Sequence, residues 1–392
     1  MKKILAMLLA LVMVMGLVAC GTDAPETTAP VETTPAESTP AETTPAVSDV
    51  EYKIAMITDY GDITDQSFNQ TTYEAVKAFS EANGVAYNYY KPSGDSTAER
   101  IAMVDAAIVD GYNVIVMPGF AFGETLAEVA DLYPEVKFIA LDVAEGEGGF
   151  AATENVFSAV YQEELSGYMA GYAAVKLGYK HLGYLGGMAV PAVQRFGYGY
   201  LQGIDAAAKE LGIVGDIKVE YVYGNQFYGD ADITAVMDTW YGEKGVECVF
   251  ACGGGIWSSA AEAAAKVGGK VIGVDVDQAA IIDGQYGEGM TVTSAMKGLA
   301  PTVNTLLTAI VLEDNWAAYA GKIETLGLVS ADPEANYVQI PMASTQFAEG
   351  FTAEDYSALV AAMFEGTVAV SGDISAFPTT EVAVETYADI KG

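Results

Sequence analysis

Residues 52–84 read YKIAMITDYGDITDQSFNQTTYEAVKAFSEANG. The stretch opens on an almost unbroken run of β-type side chains, Tyr52 to Thr58. It then passes through an acidic, glycine-containing turn that starts at Asp59. Beyond the turn, Thr72, Val76 and Phe79 recur at i, i+4 and i+7, the spacing of one helix face, and Gly84 stops the pattern. A strand that is apolar on both faces must be covered on both faces, which is the condition of a parallel sheet flanked by helices.

The same unit recurs along the chain. VAYNYYK (85–91), NVIVMPG (113–119) and VKFIALD (136–142) read as strands, with helices over 99–109 and near 125–132 between them. A short strand at 156–161 precedes a second series: HLGYLGG (181–187), IKVEYVYG (217–224), ECVFACGG (247–254), KVIGVDVD (270–277) and MTVTSAM (290–296). Two series of βα units predict an α/β fold of two lobes, each a mostly parallel sheet flanked by helices. The N-terminal lobe is expected over 51–157 plus 298–326, and the C-terminal lobe over 158–297 plus 336–392. The chain would then cross between lobes near Phe157, near Lys297 and within 326–336. The last segment holds a strand-like YVQIP, a helix around 353–364 and then TVAV.

The first 50 residues belong to neither lobe. Lys2-Lys3 precede an apolar run over 4–18, which is shorter than the roughly 20 residues of a spanning helix. Leu17-Val18-Ala19-Cys20 closes it. This is the layout of a bacterial lipoprotein signal, and it predicts removal of residues 1–19 and lipidation of Cys20. The mature chain would then be held on the outer face of the cytoplasmic membrane. Residues 20–50, rich in Thr, Pro, Glu and Ala with near-repeats TTPAEST and PAETTPA, lack the apolar side chains to offset the entropy of folding. They read as a disordered tether.

Composition removes several function classes. A formal net charge of −35 opposes binding to nucleic acid, which needs basic surface. Cys248 and Cys252 share one strand, where four residues span roughly 13 Å. That exceeds the about 7 Å Cα separation a disulfide tolerates, so both read as core thiols. The single histidine, His181, opens a strand. No metal site, catalytic triad or cofactor is expected from this inventory. No GxxxxGK[ST] or GxGxxG stands between a strand and a helix, so no phosphate loop is expected, and an acidic cleft favours a neutral or only weakly charged ligand.

In open α/β sheets ligands bind at the carboxyl ends of strands. Those ends are rich in Asp and Gly here: Asp59 leading to Asp65 and Asn69, Pro118-Gly119, Asp142, Gly186-Gly187, Gly253-Gly254-Gly255, Asp275-Val276-Asp277 and Lys297. Each Asp alone suits a helix cap or an Asx turn. Together they suit the paired hydrogen bonds of sugar hydroxyls or base N–H groups. Phe68, at the start of a helix, can stack on a planar ring. Phe227 and Tyr228, in a polar loop, are both candidates for the opposite wall.

These residues resemble those of the basic membrane protein lipoproteins, relatives of purine nucleoside receptors that serve ABC transporters. The resemblance rests on Asp59-x-Gly61-x-x-x-Asp65-x-Ser67-Phe68-Asn69, on Glu163/Glu164 to Gly171, on Gly183-Tyr184-Leu185-Gly186-Gly187-Met188 with Pro191 and Phe196, and on Gly273-Val274-Asp275-x-Asp277-Gln278 with Lys297. It implies a type I periplasmic-binding-protein-like fold. It also implies that Phe68 and Phe227 sandwich a purine, that Asp59 and Asn69 address the base edge, and that Asp275 and Lys297 hold ribose hydroxyls with Asp142 nearby. Gly254 is added as a strand-end backbone position. Relatives often continue the Phe227 loop with Asp-Pro and basic residues, whereas this chain has Gly229-Asp230-Ala231-Asp232, so Phe227 and Tyr228 both remain candidates.

The expected function is a lipid-anchored, monomeric binding protein that captures nucleosides for an ABC importer whose permease and ATPase are separate chains. A sugar or other small polar solute is the alternative ligand. An extracellular nucleoside hydrolase is the enzymatic alternative, disfavoured because no metal-type Asp cluster stands at a single strand end and no histidine is available as a general acid. A surface sensor would use the same pocket.

Overall fold

The computed structural model describes residues 50–392; the leader, Cys20 and almost all of the tether lie outside the described residues. In chain order the elements are β1 (Lys53–Ile57), α1 (Phe68–Asn83), β2 (Ala86–Tyr90), α2 (Thr97–Val109), β3 (Val114–Pro118), α3 (Phe122–Val129), β4 (Lys137–Leu141) and β5 (Val156–Tyr161). Then follow α4 (Glu163–Lys176), β6 (His181–Gly186), α5 (Pro191–Leu211), β7 (Lys218–Tyr223), α6 (Ala231–Asp238), β8 (Cys248–Cys252), α7 (Trp257–Val267), β9 (Lys270–Asp275), α8 (Ala279–Tyr286) and β10 (Thr291–Lys297). The remainder is α9 (Leu299–Leu307), β11 (Lys322–Leu326), β12 (Val338–Gln339), α10 (Ala353–Phe364) and β13 (Ala383–Thr386).

Two sheets result. The first has six strands in the order β11-β5-β4-β3-β1-β2, all parallel. The second has seven in the order β12-β10-β9-β8-β6-β7-β13, and only β12 runs antiparallel. The alternation of side chains along each strand feeds two cores per sheet. In β1, Ile54 and Met56 pack under α1 and α9, while Ala55 and Ile57 face the α2–α3 side. In β8, Cys248, Phe250 and Cys252 share one core with α4 and α5, while Val249 and Ala251 face α6 and α7. Both thiols are free and buried, and burial pushes their pKa values up, so they are inert packing groups.

The chain passes between the sheets three times. β5 stays in the first sheet to Tyr161, which pairs with Leu326, so the first crossing follows Tyr161 rather than falling at 157. The second is at Gly298, between β10 and α9, and the third lies between β11 and β12. The TVAV stretch forms no strand. The outer strand beside β7 is instead β13, paired from Ala383↔Lys218 to Thr386↔Tyr221. His181, at the start of the interior strand β6, is held by Glu220 on β7, Nε2 to Oε1 at 2.9 Å.

The second lobe is pinned by an unusually close helix pair, α4 against α5. A Cβ placed on Gly171 would lie 2.2 Å from the Tyr200 carbonyl oxygen, and one on Gly203 would lie 2.1 Å from that of Tyr168. Backbone meets backbone at these points, which only glycine permits. The approach sets where the first turn of α4, with Glu163, sits. Among the described residues no helix is long and apolar enough to cross a membrane.

Candidate functional site

The carboxyl ends of the strands of both sheets converge on one cavity of about 600 Å³. Asp59, Phe68, Asn69 and Asp142 line it from the first lobe. Phe227, Tyr228, Gly254, Asp275 and Lys297 line it from the second. The structure therefore brings these nine residues to one place, whereas Pro118, Gly186, Gly187 and Asp277 do not line the cavity.

The first-lobe side is built around two aspartates that do different work. Asp65 caps α1: its carboxylate accepts the N–H groups of Ser67 (2.9 Å), Asn69 (2.9 Å) and Gln70 (3.0 Å), and the Asn69 Nδ2 at 3.1 Å. This fixes Phe68 and Asn69 in the first turn. Asp59 lies at the end of β1, where Oδ1 accepts from the N–H groups of Tyr60 and Gly61, each at 2.7 Å, and from Asn69 Nδ2 at 3.4 Å. Burial raises the Asp59 pKa, and these donors only partly offset it. Two carboxylates thus claim the Asn69 amide nitrogen, and its Oδ1 is left buried without a hydrogen-bond partner among the described residues.

At the base of the cleft Lys297 is a charge hub. Its Nζ lies 2.6 Å from Asp142 Oδ2, 3.2 Å from Glu163 Oε1 and 3.9 Å from Asp275 Oδ1. It also lies 4.9 Å from the ring centre of Phe68, 5.4 Å from Tyr161 and 5.5 Å from Phe196. Burial opposes the ammonium charge, but the three carboxylates outweigh it and hold the Lys297 pKa above its ordinary value. Glu163 is fully buried, and its other oxygen accepts from Arg195 Nε at 2.5 Å. Burial holds the carboxyl groups of Asp142 and Asp275 above their usual range even beside this cation. Both aspartates adopt the left-handed region, at φ 64° and 65°, which turns each carboxylate off its strand end.

The lobes are closed on each other. The Ser67 hydroxyl donates to Asp275 Oδ2 at 2.5 Å, the Gln278 amide donates to the Gln66 carbonyl at 3.0 Å, and the Tyr60 hydroxyl meets Met188 Sδ at 3.0 Å. Phe227 is half-buried against Gly187 and Gly253, with its ring 6.3 Å from that of Tyr60. Gly254 has φ 50°, and a Cβ there would fall 2.7 Å from the Phe227 carbonyl oxygen, so its role is to admit the Phe227 loop. Tyr228 is 61% exposed. Of the two candidates for the second aromatic wall, Phe227 is the enclosed one.

Strand-end reasoning does not reach Glu163 or Arg195, and it assigns no role to Tyr60 and no cross-lobe role to Ser67. The signal for Glu163 is an acidic first turn at the head of a helix that is otherwise small, apolar or aromatic up to Lys176. No group of three or more His, Cys, Asp or Glu among the described residues could hold a metal ion.

Comparison with known proteins places this geometry in context. A protein from Lactococcus lactis subsp. cremoris named ABC transporter nucleoside-binding protein BmpA is 29% identical over 241 residues, which are 58% of this chain and 65% of that protein, just under two thirds of its length. Basic membrane protein B of Borreliella afzelii is 27% identical over 292 residues, 70% of this chain and 78% of that one. A crystal structure of an ABC transporter solute-binding protein from Aeropyrum pernix superposes with a TM-score of 0.63 at 24% identity, over 81% of this chain and 87% of that one; it shares the two-lobed binding-protein fold. The sequence pattern of the Bmp family, described as ABC transporter substrate-binding protein PnrA-like, matches residues 52–331. The family is one of solute-binding proteins rather than enzymes, and the chain belongs to it.

Proposed function

We propose that this protein captures a nucleoside, a purine nucleoside in the first instance, and presents it to an ABC importer whose permease and ATPase are separate chains. The observation that carries the reading is the layout of the cavity. Phe68 and Phe227 offer aromatic faces, Asp59 and Asn69 stand at one part of the wall, and Asp275 and Lys297 stand at another. Asp59 and the Asn69 Oδ1, which has no hydrogen-bond partner among the described residues, suit the hydrogen-bonding edge of a base. Asp275 and Lys297 suit adjacent ribose hydroxyls. A volume of about 600 Å³ lies within the usual range of small-molecule sites. Stacking supplies about 1–3 kcal/mol per aromatic, by analogy with base–aromatic contacts.

Three carboxylates surround a lysine that they already neutralise, so an anionic ligand would enter unfavourable potential. This favours a nucleoside over a nucleotide. Capture proceeds by closure of the lobes about the three crossings, which brings Ser67 to Asp275. The mature chain acts as a monomer outside the cytoplasmic membrane, tethered through lipidated Cys20.

The test is titration calorimetry of the chain from about residue 49 onward against guanosine, inosine, adenosine, cytidine and ribose. Tight one-to-one binding of a purine nucleoside, much weaker for cytidine and absent for ribose, supports the reading. Silence from every nucleoside overturns it and turns attention to sugars and other polar solutes.

A further inference from the structure

Residues 332–392 lie beyond the stretch matched by the family pattern, which ends at residue 331. Part of this segment nevertheless reaches the loop that carries Phe227. β13 lies along β7, the strand that feeds that loop, and the chain continues beside it. The Tyr387 N–H donates to the Tyr221 carbonyl at 3.0 Å, and the Ile390 N–H to the Tyr223 carbonyl at 2.9 Å. Asn225, at φ 59°, then donates its Nδ2 to the Lys391 carbonyl at 3.1 Å.

The side chain of Lys391 engages the loop's organising residue. Its Nζ pairs with Asp230 Oδ2 at 2.7 Å and also with Asp232. Asp230 is the N-cap of α6: its Oδ1 accepts the N–H groups of Asp232 and Ile233, both at 3.0 Å. Its Oδ2 also accepts from Gln226 Nε2 at 3.0 Å, and the same nitrogen donates to the Tyr228 carbonyl at 2.8 Å. Burial opposes the charge of Asp230, but Lys391, the Ile233 N–H and Gln226 outweigh it and hold its pKa at about 2. On the opposite side the Gly255 N–H donates to the Phe227 carbonyl at 2.8 Å, and the Ser259 hydroxyl donates to the Asp230 carbonyl at 3.1 Å. The aromatic loop is therefore gripped from both sides, and one side is the C-terminal segment.

We propose that this segment clamps the aromatic loop in its ligand-facing shape, with Lys391 as a positioning residue for Phe227. A polar loop with a half-buried aromatic and a left-handed Asn belongs to the low-stability end of a fold. Tying its capping carboxylate to a cation on a strand-anchored segment suppresses its opening. The consequence for the ligand is slower release, because the wall formed by Phe227 must move before the ligand leaves. That consequence rests on the nucleoside reading above, whereas the clamp itself does not.

The experiment is amide hydrogen exchange on the full chain, on Lys391→Ala, on Lys391→Arg and on a chain ending at Ala388, together with the dissociation rate of a bound purine nucleoside. Exchange over residues 224–231 is expected to rise about fivefold in Lys391→Ala, the scale of a partly exposed ion pair, and further in the shortened chain. Exchange in β1 should stay unchanged, and Lys391→Arg should restore protection. Nucleoside release should quicken about fivefold in Lys391→Ala. Unchanged exchange over 224–231 in both Lys391→Ala and the shortened chain overturns the clamp. A loosened loop with unaltered release overturns its link to the ligand. A parent chain that binds no nucleoside defeats the proposed function instead, and the exchange comparison still decides the clamp.

Discussion

Ser67 and Asp275 are separated by 208 positions in the chain, yet the Ser67 hydroxyl donates to the Asp275 carboxylate at 2.5 Å. One stands at the head of a first-lobe helix and the other at the end of a second-lobe strand. The carboxylate proposed to hold the ligand is therefore also a carboxylate that holds the lobes together. Asp275→Asn keeps the side-chain shape and tolerates φ 65°. It is expected to weaken nucleoside binding about a hundredfold, because a charge-assisted pair of hydrogen bonds is lost, at a stability cost of about 1 kcal/mol. Calorimetric titration beside chemical denaturation separates the two effects, and retained affinity would remove Asp275 from the site.

Removing the cation of the hub has the opposite profile. Lys297→Met leaves Asp142 without its 2.6 Å partner in a buried setting. A loss of about 3–5 kcal/mol is expected, the usual consequence of leaving a buried charge uncompensated. With its pKa raised further, Asp142 binds a proton in the folded state that it does not bind when unfolded. The variant should thus recover stability as pH falls, and urea denaturation at several pH values reads this directly.

Glu164 carries a pH dependence of its own. Burial pushes its pKa up to about 7, with Glu163 adding to the shift and Arg195 opposing it, and its Oε2 has no hydrogen-bond partner among the described residues. The folded value lies above the unfolded one, so the folded state binds more protons across the window between them. Stability is full below about pH 4, falls as pH rises to about 7, and is level above that. Glu164→Gln should match the parent near pH 4 and exceed it by about 3 kcal/mol near pH 8. Equal stability at both pH values would show that the carboxylate is well solvated.

The two candidate aromatics make unequal predictions. Phe68→Ala and Phe227→Ala should each cost about 1–3 kcal/mol of purine nucleoside affinity. Tyr228, 61% exposed, should cost less than about 0.5 kcal/mol on replacement by Ala. A larger loss for Tyr228 than for Phe227 in parallel titrations would reverse the assignment of the second wall.

Close packing of α4 on α5 is testable without any ligand. Gly203→Ala places a methyl group 2.1 Å from the Tyr168 carbonyl oxygen, and that oxygen belongs to a helix backbone that cannot step aside. A destabilisation of about 3 kcal/mol is expected, at the upper end for overpacking. A melting temperature equal to that of the parent would mean the helices can part at little cost.

Much of this molecule is legible in its sequence, for identifiable reasons. β1, β3, β4, β8 and β9 are apolar on both faces, and burial on both faces is what their sequence states. Asp59, Asp142 and Asp275 stand on the cavity wall because each closes or follows such a run, and Lys297 because it closes β10. β11 and β13 are not found. Ala383–Thr386 is mostly exposed and owes its strand form to the ladder with β7, whereas TVAV, with better β propensity, has no partner strand. Glu163 escapes because its partners, Arg195 and Lys297, come from distant parts of the chain and meet it only through the close approach of α4 to α5 and of α4 to β10. Ser67 escapes because its acceptor lies in the other lobe.

The strand order carries a consequence for how the molecule is made. β11, which borders β5 in the first sheet, is encoded after every parallel strand of the second sheet except β13. As the chain emerges from the ribosome, the first sheet therefore stays open along β5 until residues 322–326 appear. The second sheet waits in turn for residues 383–386 beside β7. Neither lobe is encoded by one continuous stretch of message. A fold begun before residue 322 is made would lack outer strands in both sheets.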